Sequence, residues 1–161
     1  MDMTCRHLPG FTRIFGLLLI AGILASTASR SAEPQFDLQA YRGKVVILDF
    51  WASWCVPCRR SFPWMNEMQR KYADAGLVVV GVNMDADPDD AQAFLRNYPA
   101  DFRIVSDSGG DLASHFAVEA MPSSYVIDRE GEIVARHLGF QVRKVDEYEE
   151  RIKQVLFSEE E

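Results

Sequence analysis

The run KVVILDFW, Lys44 to Trp51, is apolar on both of its alternating faces and leads within a few residues into the cysteine pair of WCVPC, Cys55 and Cys58. A strand apolar on both sides belongs inside a sheet covered on both faces, the usual setting of parallel strands. Asp49 is the single intruder. LVVVGVNM, Leu77 to Met84, has the same character. Between the two runs, residues 57–75 place Phe62, Met65, Met68 and Tyr72 at helical spacing and stop before Gly76, which reads as a C-terminal cap. The order is therefore strand, helix, strand.

The remainder extends that pattern. Asp87 followed by Pro88 reads as a helix cap and first turn, with Ala91, Phe94, Leu95 and Tyr98 as the inner face. A short strand over 103–106 and a short helix over 111–116 follow. SYVID and EIVARHL read as two strands joined through REG, where Gly131 suits a tight turn. A last helix over about 143–157 turns Val145, Tyr148, Ile152, Val155 and Leu156 inward. Strands alternating with helices and finishing in a hairpin and one helix predict an α/β fold with a mixed central sheet and helices on both faces.

Residues 1–28 differ in kind. Arg6 and Arg13 precede the apolar run Ile14 to Ala25, and Ser26, Thr27 and Ala28 are small, which is the layout of a secretory signal peptide. A spanning helix needs about 20 apolar residues, more than this run supplies, so cleavage is the first reading and an uncleaved membrane anchor the alternative. Cys5 precedes the apolar run and is not placed to carry a lipid. Residues 29–35 read as a leader, 36–157 as the folded domain and 158–161 as an acidic tail. Loss of residues 1–28 removes Arg6, Arg13 and Asp2, so the net charge of −7 becomes −8. An acidic domain argues against nucleic-acid binding. Periplasmic or other extracytoplasmic placement leaves Cys55 and Cys58 in a compartment where disulfides persist.

Two cysteines at this spacing serve a structural disulfide, half a zinc site, a haem attachment point or a redox dithiol. Zinc needs four ligands, and beyond the pair the mature chain offers only His115 and His137, neither at the usual spacing, so no metal is expected. Haem attachment needs histidine after the second cysteine, where Arg59 stands. A structural bridge closing so short a loop removes little chain entropy. A dithiol between a strand end and a helix start, in contrast, places Cys55 near unpaired N–H groups that favour the thiolate. Pro57 fits the first helical turn and stiffens the pair, and Arg59 and Arg60 add positive charge nearby. Asp49, buried without an evident partner, should have a raised pKa and suits a general base for Cys58.

LDFWASWCVPC, with Pro63 after Cys58 and Met121-Pro122 ahead of a strand, resembles the thioredoxin fold. FDLQAYRGKVVILDFWASWCVPCR with MPSSYVIDREGEIV resembles its extracytoplasmic TlpA/ResA-type branch, over about residues 36–157. The resemblance implies a thioredoxin-like fold with an inserted helix-strand unit over 85–106. It implies that Cys55 attacks, that Cys58 resolves, that Asp49 is the buried acid and that Pro122 is a cis-proline facing the dithiol. Met121 then presents backbone to a substrate peptide, with Trp54, Val56 and Pro57 beside it. Gly81 stands where thioredoxin has a lysine near the buried acid. Asp85 or Ala86 falls where some relatives carry a glutamate, and neither receives a role.

Val56-Pro57 offers no histidine or charge to stabilise the thiolate, which favours a reductant near about −270 mV over an oxidant near about −120 mV. The resemblance implies protein disulfide substrates, such as apocytochrome c or copper-site assembly proteins, and a membrane thiol transporter as electron donor. No cofactor is expected beyond the Cys55–Cys58 couple. A disulfide oxidant or isomerase and a copper-binding chaperone remain as alternatives. Cys55 is expected to face solvent, and Cys58 the helix interior.

Overall fold

The computed structural model describes residues 36–158, so the signal or anchor over 1–28 with Cys5, the leader over 29–35, and the acidic tail past Ser158 lie outside the described residues. Its elements are β1 (Val45–Trp51), α1 (Cys58–Tyr72), β2 (Leu77–Asn83), α2 (Pro88–Asn97), β3 (Arg103–Ser106), α3 (Asp111–His115), β4 (Ser123–Ile127), β5 (Ile133–Leu138) and α4 (Val145–Leu156). Short 3₁₀ turns cover Leu38–Tyr41 and Val142–Lys144. Among the described residues no helix is long and apolar enough to cross a membrane.

β1 is buried along its whole length because it is the middle of the sheet, whose order is β3-β2-β1-β4-β5. The first three strands run parallel; β4 is antiparallel to β1, and β5 to β4. This is the mixed sheet expected, with α2 and β3 as the inserted unit. Alternation along β1 divides its side chains between two cores. Val45 and Ile47 join Met65, Met68, Ile152 and Leu156, so α1 and α4 cover one face. Val46, Leu48 and Phe50 join Tyr125 and Phe116 on the other, beneath α3 and the first 3₁₀ turn. Each large side chain so buried contributes about 1.5–3 kcal/mol.

Local chemistry sets the element ends. Asp87 caps α2 through its side chain, accepting the Asp89 N–H, with Pro88 in the first turn. Pro63 lies inside α1, where it removes the donor for the Arg59 carbonyl. α1 ends at Tyr72, earlier than its apolar pattern suggested. Tight turns then take over, with Ala75 N–H donating to Tyr72 O and Gly76 N–H to Ala73 O. Gly76 has φ +95°, and Arg129 lies against it, donating to the carbonyls of Gly43, Ala75 and Leu156. One side chain thus ties together the turn before β1, the turn after α1 and the end of α4. Of the expected inner face of α2 only Phe94 is fully buried, since α2 packs at the end of the sheet against Trp51 and Phe62.

Gly81 pairs directly with Asp49 across β1 and β2. A Cβ there would stand 2.8 Å from Ile104 Cδ1 and 3.1 Å from both the Phe102 ring and Trp51 Nε1. The space beside Asp49 is filled by these three side chains, which is why no longer residue can stand at this position and reach the acid. Gly81→Ala should therefore destabilise the protein by about 1–3 kcal/mol through overpacking, read as a lower urea midpoint at unchanged slope.

Candidate active site

The loop from Ala52 to Pro57 runs from the end of β1 to the start of α1, and its shape is held from below. Asp85 is nearly fully buried at the end of β2. It accepts the Ser53 N–H at 3.0 Å, the Ser53 hydroxyl at 2.9 Å and the Asn83 amide at 2.7 Å. Met84 N–H donates to Trp51 O in the same place. The sequence left Asp85 without a role because its partner, Ser53, lies far along the chain. Its carboxylate is fully engaged in pinning the loop.

Cys55 and Cys58 are disulfide-bonded across the first turn of α1. The Cys58 N–H points at Cys55 Sγ at 3.3 Å while also reaching Cys55 O at 3.2 Å. A helix-terminal N–H aimed at that sulfur favours the thiolate on reduction. Contrary to expectation, Cys55 is not open to solvent: it is 2% exposed and Cys58 0%. Both pack with Trp51, Phe62 and Phe94, and Met121 lies against the same cluster. The exposed groups are the flanking ones, Trp54 at 65% and Val56 at 57%, with Pro57 half-buried between.

Met121-Pro122 is a cis peptide, the isomer the resemblance implied, and the packing of Met121 brings it to the dithiol. Pro122 is buried, Met121 half-buried. The segment is held by Gly139 N–H donating to Pro122 O and by the Ser123 hydroxyl donating to Ala120 O. An open cleft of about 530 Å³ flanks the loop on the α2 side, lined among others by Ser53, Arg59, Asp90 and Tyr98.

Asp49 is wholly buried on the face covered by α1. The Ser124 hydroxyl donates to its Oδ1 at 2.5 Å, while Oδ2 has no partner. Desolvation pushes its pKa up to about 7, against a smaller lowering by the Ser124 bond. Ser124 was not legible in the sequence, because only the β1–β4 register sets it opposite Asp49. A second orphan, Trp51 Nε1, lies two residues along the same face of the strand. Neither histidine joins the dithiol cluster: His115 ends α3, and His137 sits on β5 against Tyr148.

A carboxyl whose pKa is near 3.8 unfolded and about 7 folded stays protonated in the fold across that interval. The folded state then binds the extra proton, so stability is fully present below about pH 4 and is lost as pH rises toward 7, by about 1.4 kcal/mol per pH unit. Asp49→Asn keeps an acceptor for Ser124 and removes the titration. The variant should match the wild type near pH 4 and exceed its stability above pH 7. Urea unfolding of both across this range checks it; a difference that stays flat with pH would show that Asp49 ionises normally.

Comparisons with known proteins agree with this geometry. The Redoxin family profile matches residues 9–152. The thiol-disulfide oxidoreductase ResA of Bacillus thuringiensis subsp. konkukian is 30% identical over 121 residues, 75% of this chain and 69% of that protein. The thioredoxin-like protein YneN of Bacillus subtilis is 39% identical over 111 residues, 67% of this chain and 64% of that one. A solved structure of a candidate thiol:disulfide interchange protein DsbE from Chlorobium tepidum superposes with TM-score 0.72 at 46% identity, over 74% of this chain and 84% of that one. The chain belongs to the Redoxin family, as a thiol-disulfide oxidoreductase of the TlpA/ResA type with a thioredoxin-like fold.

Proposed function

We propose that the protein works as an extracytoplasmic reductase of protein disulfides. The observation that carries this reading is the surroundings of Cys55 Sγ: among the described residues its hydrogen-bond partner is a backbone N–H, and the intervening Val56 and Pro57 bring neither imidazole nor charge. A thiolate so modestly stabilised leaves the reduced form able to give up its electrons. Cys55 is the attacking thiol. It opens a client disulfide, takes one client sulfur into a mixed disulfide, and releases the other as a thiolate.

Cys58 then resolves the mixed disulfide. Asp49, poised near neutrality, accepts the Cys58 proton; the new thiolate attacks Cys55 Sγ, the Cys55–client bond breaks, and the internal disulfide forms. The client strand lies along Met121-Pro122, with Trp54 and Val56 as exposed apolar contacts. Residues 1–28 carry the features of an export signal or anchor, which supports action outside the cytoplasm and resupply of electrons by a membrane thiol transporter. Clients with buried or metal-site cysteines, such as apocytochrome c or copper-site assembly proteins, suit this chemistry.

Equilibration of the dithiol with a glutathione redox buffer measures the direction. A potential near about −270 mV, close to thioredoxin, is expected, and a value near about −120 mV would make the protein an oxidant. Cys58→Ser should in addition accumulate clients as mixed disulfides on Cys55, recoverable by reductant. Cys55→Ser should trap none.

A further inference from the structure

Three polar side chains occupy one row across the sheet. Asp49 on β1 is paired with Ser124 on β4, and Ser124 with His137 on β5. Directly opposed residues of antiparallel strands project to the same face, with Cβ atoms about 4.5–5.5 Å apart. The row therefore starts at a carboxyl with no exposure and ends at a half-buried imidazole on the edge strand. Its first link is made: the Ser124 hydroxyl donates to Asp49 Oδ1 at 2.5 Å. Its second runs beside a narrow, partly enclosed cavity of about 10 Å³ that Ser124 and His137 both line, among apolar and aromatic side chains that include Ile47, Trp64 and Phe140. That volume is at the lower limit for one water. His137 also lines an open surface cleft of about 510 Å³ with Glu147, Glu150 and Arg151. It thus lines both the narrow cavity and the surface cleft.

A buried base that takes the Cys58 proton has to pass it on, since a proton held on Asp49 returns to the Cys58 thiolate and reverses the step before resolution is complete. Asp49 has no solvent contact of its own, and Gly81 with its neighbours closes the β2 side. We propose that Ser124 and His137 are the proton relay of Asp49, carrying the Cys58 proton across the sheet to the cleft beside α4. This rests on the reading of Asp49 as the base. The step balances: Cys58 S–H breaks and Asp49 gains the proton; the Ser124 hydroxyl passes its own proton toward His137 and takes the one from Asp49. His137 hands its proton to solvent buffer, and the departing client thiolate is protonated from solvent. Desolvation lowers the His137 pKa and so favours the neutral imidazole, the form that can accept a proton. Around it stand Ser124 from β4, Arg136 from its own strand, Glu147, Tyr148, Glu150 and Arg151 from α4, and Lys144 from the preceding turn. Glu147 raises its pKa, while Arg151 and Lys144 lower it.

Stopped-flow reaction of the reduced protein with dithiobis(nitrobenzoate) separates the steps, since attack by Cys55 releases one coloured thiolate and resolution by Cys58 the second. At pH 7 and low buffer, His137→Ala should slow the second phase about tenfold and leave the first unchanged. Asp49→Asn should slow it by about a hundredfold, the scale of losing a general base. Added imidazole should restore the second phase of His137→Ala in proportion to its concentration and leave Asp49→Asn slow. His137→Gln, which keeps a polar side chain of similar size, should be slow in the same way if the alanine variant folds poorly. A wild-type second phase in both His137 variants alongside a slow Asp49→Asn overturns the relay and leaves the base in place. A second phase slowed but indifferent to imidazole also overturns it, as the mark of a structural histidine. A wild-type second phase in Asp49→Asn removes the base reading, and the relay with it.

Discussion

A carboxyl group at zero exposure in the central strand of a sheet has to find hydrogen bonds within the sheet or remain protonated, and Asp49 meets that demand only halfway. One oxygen is held by Ser124 and the other is unpaired. The surrounding architecture keeps it in this state. Trp51, Phe102 and Ile104 occupy the volume from which a cation could approach, and they do so because residue 81 has no side chain. A glycine on β2 therefore controls the ionisation of an acid on β1. The result is a group poised near neutrality in a protein whose other buried carboxylates, Asp85 and Asp107, are supplied with donors.

Those two supplied carboxylates show how differently buried acids are used here. Asp85 accepts from Ser53 and Asn83 and so holds the dithiol loop against β2. Asp107 accepts from Leu112 and Ala113 and so starts α3. Each satisfies backbone N–H groups that would otherwise be buried without partners. Asp49 bonds to no backbone group among the described residues; its one partner is a hydroxyl, which can donate to the carboxylate or pass a proton along.

The strands, the helices and the dithiol were legible in the sequence because their signals are local. KVVILDFW and LVVVGVNM declare buried strands by composition, Asp87-Pro88 declares a helix start, and Cys55 and Cys58 sit at fixed spacing behind a strand. What was not legible depends on register. Ser124 is one of two adjacent serines, and only the ladder decides that it faces Asp49 while Ser123 faces away. His137 reads as a lone polar residue in a strand until its pairing with Ser124 is known. Arg129 looks like a turn residue, yet it joins three carbonyls from distant segments. The low exposure of Cys55 escaped for a similar reason, since it reflects packing against Phe62, Phe94 and Met121 from separate parts of the chain.

The β4–β5 hairpin carries an irregularity whose position matters. Its register holds from Ser123 with Leu138 through Val126 with Ala135, then shifts so that Ile127 meets Ile133 and Val134 is left over. A bulge of this kind absorbs a one-residue mismatch locally. Because it lies between the turn and the pairs that include Ser124 and His137, the turn over Asp128 to Glu132 is mechanically uncoupled from them. Length changes in the turn can be taken up at Val134, whereas a single insertion between Ile127 and Ser123 would rotate Ser124 to the opposite face. The hairpin thus has a tolerant half and an intolerant half. Sequence drift in this fold should collect on the turn side of the bulge, and lineages that changed the other side should have changed their buried acid as well.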